Sequence, residues 1–148
     1  MIRRHKISES ERQALATYVV LMRAAESVTA ALRPGLARME LTDSQFGVLE
    51  ALYSLGPLCQ RSLGEKILKT SGNITMVIDN LEKQDLVARN RSPEDRRMVM
   101  ISLTEKGMHV IAHVFPVHAK NVLAEMSHIT DAERTDLRRL CKKLGKRR

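Results

Sequence analysis

Four arginines, Arg89, Arg91, Arg96 and Arg97, crowd a short proline-containing stretch that reads RNRSPEDRR. A guanidinium stays charged at neutral pH and offers a planar fork of donors that fits phosphate oxygens and base edges. Glu94 and Asp95 form an acid pair in the same stretch. A loop tip offers no desolvated cleft to shift a carboxyl pKa, so these acids do not suggest acid–base catalysis. Cys59 stands just before a short helical segment, where the helix end favours a thiolate; that makes it a candidate redox sensor, set against a plain small residue at a helix start. Cys141 falls on an apolar stripe and is expected in the core. His109 and His113 have the i,i+4 spacing that can chelate zinc, but no neighbouring ligand set completes them, and His118 lies beyond Pro116. No metal and no cofactor is therefore expected. A Gly-rich phosphate loop, G-x-S-x-G, HExxH and partnered carboxylates are all missing from the sequence, which argues against an enzyme.

The elements that must hold these residues follow from periodicity and punctuation. Ser8 and Glu11 form a capping box, and Leu15, Val19, Met22, Ala25, Thr29, Leu32 and Leu36 then recur at helical steps. This long helix is expected to end before Pro34. Thr42 and Gln45 cap a second helix with Phe46, Leu49, Leu52 and Tyr53 inward, broken by Gly56-Pro57; a short third follows from Gln60 to Leu68. In the fourth, Ile74, Val77, Ile78 and Leu81 make a clean inner stripe. Its opposite face carries Ser71, Asn73, Thr75, Met76, Asp79 and Asn80, beside Gly72. A solvated face would carry Lys and Glu pairs; this one suits contact with another surface.

Leu86–Arg91 alternates, and Met98–Leu103 sets Val99, Ile101 and Leu103 together, so both read as strands joined by a turn at Ser92–Arg97. The arginine stretch is thus a β-hairpin with Arg96 and Arg97 at its tip. A second long helix carries Met108, Ile111, Ala112, Phe115, Ala119, Val122 and Met126, with a kink expected at Pro116. Thr130 and Glu133 open a last helix with Leu137, Leu140, Cys141 and Leu144 in line.

At 148 residues, 43% hydrophobic and 28% charged, the chain has the size and composition of one globular domain. Its net charge of +8 favours polyanions. Aromatics at 3% leave few stacking platforms for RNA or single strands. No apolar run approaches the roughly 20 residues of a membrane span. Arg3, Arg4 and Lys6 resemble an export signal, but Glu9, Glu11 and Arg12 interrupt it, so a cytoplasmic location is expected.

The helix order with its hairpin is that of a winged helix-turn-helix. A helix with small polar residues can enter a major groove about 12 Å wide, while a basic hairpin reaches a minor groove where negative potential is focused. The stretch LGEKILKTSGNITMVIDNLEKQDLVARNRSPEDRRMVMISLTEKG resembles the DNA-binding core of the MarR family of bacterial regulators, above all in Asp95-x-Arg97 followed by Leu103-Thr104 and Gly107. The resemblance extends over nearly the whole chain. It implies a mainly α fold with a small β-hairpin wing, as one domain over 1–148, with a winged core at 42–103 and dimerisation helices at 8–38 and 104–148. It further implies that Arg97 enters a minor groove with Asp95 bracing its guanidinium, and that Thr75, Met76 and their neighbours lie in the major groove. The DNA-facing set is then Ser71, Gly72, Asn73, Thr75, Met76, Asn80, Arg89, Arg91, Arg96 and Arg97. The implied function is a homodimeric transcriptional repressor on a pseudo-palindromic double-stranded operator, released by a small phenolic or amphipathic effector or by an oxidant, with no membrane partner. Relatives that sense peroxide carry their cysteine in the first helix, where this chain has none. Asp85 departs from the family's glycine after the recognition helix, and the position calls for a left-handed residue, which Asp tolerates. The competing reading is a winged-helix protein–protein adaptor that does not bind DNA.

Overall fold

The helices begin where side chains can stand in for missing backbone partners. Ser8 and Glu11 satisfy each other's backbone amides to open α1 (Glu9–Ala37), and Thr42 and Gln45 do the same for α2 (Asp43–Leu55). The short strand β1 (Leu58–Cys59) leads into α3 (Gln60–Lys66), followed by α4 (Ser71–Lys83), β2 (Val87–Arg91) and β3 (Val99–Leu103). The Thr104 hydroxyl caps α5 (Glu105–Glu125) by accepting from the Gly107 amide at 2.9 Å. A 3-10 turn at Met126–His128 then leads to α6 (Asp131–Gly145), opened by Thr130 and Glu133. This computed structural model describes residues 7–67 and 71–145, with the backbone alone at Ser71 and Gly72. Leu68, expected to end α3, and the terminal Lys146, Arg147 and Arg148 lie outside the described residues, as do Arg3, Arg4 and Lys6.

The core sits under the winged part. Leu49, Leu63, Ile74, Ile78, Leu81, Ile101 and Ile111 are fully buried there, so α2, α3, α4, β3 and α5 meet around one apolar centre. Ile74, Ile78 and Leu81 are the expected α4 stripe, with Val77 packed at its edge. The sheet is antiparallel in the order β1-β3-β2, with Leu58 opposite Ile101 and Val87 opposite Leu103.

Several expectations need correction. α1 does not stop before Pro34 but runs three residues past it, to Ala37. Gly35 and Leu36 are buried and Arg33 is tied to both Glu26 and Asp43, so packing outweighs the local preference around proline. The hairpin is joined by β1, too short for alternation to betray it. Tyr53 is half-exposed, not inward, and Cys141 is exposed, not in the core. Pro116 lies inside α5, where the sequence reading put it. By length and composition α1 does qualify as a membrane span, with a window of mean hydropathy 1.3 of which none is buried within the chain. Arg23 and Glu26 interrupt it, and its apolar residues Leu15, Val19 and Met22 are exposed here along one stripe.

The turn between α4 and β2 is tight. Asp85 adopts φ 59°, the left-handed region, as the sequence anticipated, and Leu86 N–H closes back on the Leu81 carbonyl at 2.9 Å. The first turn of α5 lies directly on it: the Thr104 hydroxyl donates to the Asp85 carbonyl at 2.6 Å and Lys106 donates to that of Gln84 at 2.8 Å. A Cβ at residue 107 would collide with the Leu86 carbonyl oxygen, which accounts for Gly107. Among the described residues Asp85 is bonded only through its own backbone atoms, so relief of its left-handed strain should show directly. Asp85→Gly is expected to stabilise the fold by about 1 kcal/mol, read as a higher urea midpoint at unchanged slope.

Candidate nucleic-acid interface

One side of the winged core collects most of the residues singled out in the sequence. Asn73, Thr75, Met76 and Asn80 are exposed on α4, and Arg91, Arg96 and Arg97 are exposed on the hairpin. Ser71 and Gly72 open α4, and their side chains lie outside the described residues.

Two flanking contacts fix α4. On one side Gln60, the first residue of α3, donates its amide to the Thr75 hydroxyl at 2.6 Å. On the other, Arg89 of β2 reaches across to Asp79 at 2.5 Å and Glu82 at 2.9 Å. Arg89 is three-quarters buried. Burial opposes its charge, but the bonds from Asp79 and Glu82 outweigh that and raise its pKa above the ordinary arginine value. The Arg89 guanidinium is thus turned onto α4, where the sequence reading set it beside Arg91 on the DNA-facing side.

The hairpin tip is a built turn. The Ser92 hydroxyl accepts from the amides of Glu94 and Asp95 at 3.3 and 3.4 Å, and Ser92 N–H closes on the Met98 carbonyl at 2.9 Å. Asp95 accepts from the backbone amide of Arg97 at 2.9 Å. The expected brace on the Arg97 guanidinium is not the contact made here: the carboxylate holds the main chain. The Arg96 and Arg97 side chains have no ion pair among the described residues.

Cys59 is the N-cap of α3 and pairs with Met100 across β1 and β3. Its sulfur lies 3.2 Å from the Ser62 hydroxyl. That hydroxyl, then the Ser62 amide, lower the thiol pKa below its ordinary value, with burial opposing them. The ring of His118, which completes no ligand set, packs on Phe46 with centroids 4.2 Å apart, and its Nδ1 is buried with no hydrogen-bond partner among the described residues. Burial lowers its pKa, partly offset by Asp43. Gln60, Ser62 and His118 could not be found from spacing, because each acts through a neighbour distant in sequence or through a packing contact. Among the described residues no group of three metal-ligating side chains converges, and His109 and His113 remain solvated helix residues.

The arrangement presents a weakly charged helix face beside a tip bearing two unpaired guanidinium groups, a pattern suited to base edges in one groove and phosphate-lined walls in the next. Comparison with known proteins gives the same direction. Residues 41–99 match the model of the MarR family. The chain is 34% identical over 133 residues to the HTH-type transcriptional regulator MhqR of Bacillus subtilis, covering 90% of this chain and 92% of that one. The fold is similar to that of BpsR from Bordetella bronchiseptica, solved in work on the regulation of its DNA binding by 6-hydroxynicotinic acid (TM-score 0.80, 25% identity, 87% of this chain and 92% of that one). It is also similar to a MarR variant from E. coli complexed with operator DNA, with a TM-score of 0.81 at 20% identity, over 93% of this chain and 99% of that one.

The thiol environment makes a measurable statement. Ser62→Ala removes the largest cause of the lowered Cys59 pKa, so the thiolate should form at higher pH. The pH profile of iodoacetamide alkylation at Cys59, followed by mass spectrometry, is expected to shift upward in the variant, while that of Cys141 stays put.

Proposed function

The chain belongs to the MarR family, and on that premise we propose that it is a homodimeric repressor that binds a pseudo-palindromic operator in double-stranded DNA and leaves it on binding a small effector. It acts by binding, not by catalysis, and in the cytoplasm, where the DNA lies. α4 enters the major groove with Asn73, Thr75, Met76 and Asn80, behind the opening residues Ser71 and Gly72; Arg91, Arg96 and Arg97 serve the phosphates and the neighbouring minor groove. The observation that carries this reading is the pairing of an almost uncharged helix face with arginines that have no ion pair among the described residues, on a hydrogen-bonded turn.

Self-association is supported by what one chain leaves uncovered. Leu15, Val19 and Met22 on α1 and Leu137, Leu140 and Leu144 on α6 are all more than a third exposed. A twofold dimer with these helices interleaved buries both stripes and sets two recognition helices about 34 Å apart, one turn of DNA. The same pairing answers the apolar window in α1 without a membrane.

An effector has a natural place at the junction of α1, α2 and α5, where His118 Nδ1 has no partner among the described residues and Arg33 bridges Glu26 and Asp43. The regulation of BpsR by 6-hydroxynicotinic acid supports a small hydroxylated aromatic ligand of this kind. A second reading of release is oxidative, and the Ser62 contact favours it. The Cys59 thiolate attacks a hydroperoxide oxygen, the O–O bond breaks and alkoxide leaves, giving a sulfenic acid beside Gln60, the residue that steadies Thr75.

The test is operator binding by sedimentation and anisotropy. A dimer should bind one operator, with affinity falling steeply as salt rises. Arg97→Ala should cost about 1–3 kcal/mol, the worth of one specific contact. A monomer at micromolar concentration, or a variant that binds as well as the parent, contradicts the reading.

A further inference from the structure

The α4 face can be read more finely, given the DNA-binding reading above. At roughly 100° per residue, Ile74, Ile78 and Leu81 define the buried meridian, and Met76 stands almost opposite it, 62% exposed. A long apolar side chain at the outward pole of a polar helix face adds nothing to this fold. Its neighbours divide into two kinds. Thr75 is bonded to Gln60, and Asp79 to Arg89, so that flank is committed to holding the helix. Asn73 and Asn80, on the other flank, are exposed with no side-chain hydrogen bond among the described residues. Asn73, Met76 and Asn80 therefore form one outward ridge, at i, i+3 and i+7: a carboxamide, a thioether and a carboxamide.

The major groove assigns a distinct chemistry to each base pair. A carboxamide pairs with the N6 and N7 edge of adenine, and an apolar side chain meets the C5-methyl of thymine. Lys83 continues this line at i+10, but it is the last residue of α4, about 10 Å along the axis from Met76, so the two turns from Asn73 to Asn80 hold no Arg or Lys on the ridge to take the O6 and N7 acceptors of guanine. A methionine suits the thymine contact, because its flexible, polarisable thioether adapts to a small apolar target. We infer that Met76 is a specificity-determining residue that recognises a thymine C5-methyl, with Asn73 and Asn80 reading adenines beside it, so that the bases under α4 are A·T pairs.

The test uses an operator fragment enriched from genomic DNA by the full-length protein. Each thymine is replaced in turn by deoxyuridine, which removes the methyl and leaves base pairing intact, and affinity is measured by fluorescence anisotropy. At one thymine per half-site the parent protein should bind about fourfold more weakly, the worth of one buried methyl. Met76→Ala, an exposed substitution that leaves the core untouched, should bind the natural operator about that much more weakly and be insensitive to deoxyuridine at that position. The inference is overturned if no thymine matters to the parent, or if Met76→Ala keeps the same sensitivity. Failure to bind any duplex would instead overturn the DNA-binding reading itself, and so the two failures are distinguishable.

Discussion

The recognition surface depends on one guanidinium. Arg89 leaves β2, is largely removed from solvent, and closes on two carboxylates of α4, Asp79 and Glu82. An exposed single ion pair contributes little, but this one is shared between two acceptors, partly desolvated, and adds a polar tie between α4 and β2 to the turn at Asp85 and the core packing around Leu81 and Val87. It does two things at once. It ties the wing to α4, and it offsets one of the two negative charges that Asp79 and Glu82 would otherwise turn toward the phosphates of a docked duplex. The Gln60 amide on Thr75 secures the opposite flank. Between these fixings the ridge of α4 can be presented as a rigid, nearly neutral probe.

That unit is in turn seated on the long helices. Gly107 lets α5 approach the Leu86 carbonyl, and Thr104 and Lys106 hold the carbonyls of Asp85 and Gln84. A movement of α5 is therefore delivered to the turn between recognition helix and wing, with no flexible linker to absorb it. α5 also carries His118, against Phe46 of α2 and near the Arg33 bridge from α1. Effector binding at that junction and DNA release at the start of the same helix can be coupled through α5, provided it has two arrangements.

Much of this was legible in the chain. Capping boxes at Ser8, Thr42 and Thr130 mark helix starts, and the Ile74–Leu81 stripe and the alternation around Arg89 have periods that local physics imposes. The left-handed residue at Asp85 was legible too, as a strain. What stayed hidden was decided by tertiary contact. Pro34 reads as a helix end until Gly35 and Leu36 are buried; β1 is two residues long and exists through β3; and Arg89 reads as one more basic residue of the wing until its partners seven and ten residues away are in view. The Asp95 contact to the Arg97 main chain differs from the expected guanidinium brace because a tight turn leaves amide donors that a nearby carboxylate satisfies first.

The most direct test of the account is a comparison of Arg89→Met in two backgrounds, the natural chain and the Asp79→Asn, Glu82→Gln double variant, with operator affinity as the readout. If Arg89 is a strut that holds and partly offsets two acids, its loss weakens binding in the natural chain and has almost no effect once those acids are already neutral. If it were a direct DNA contact, its removal would cost as much or more in the neutral background, where the guanidinium is freed to reach a phosphate. An equal or larger loss there contradicts the account.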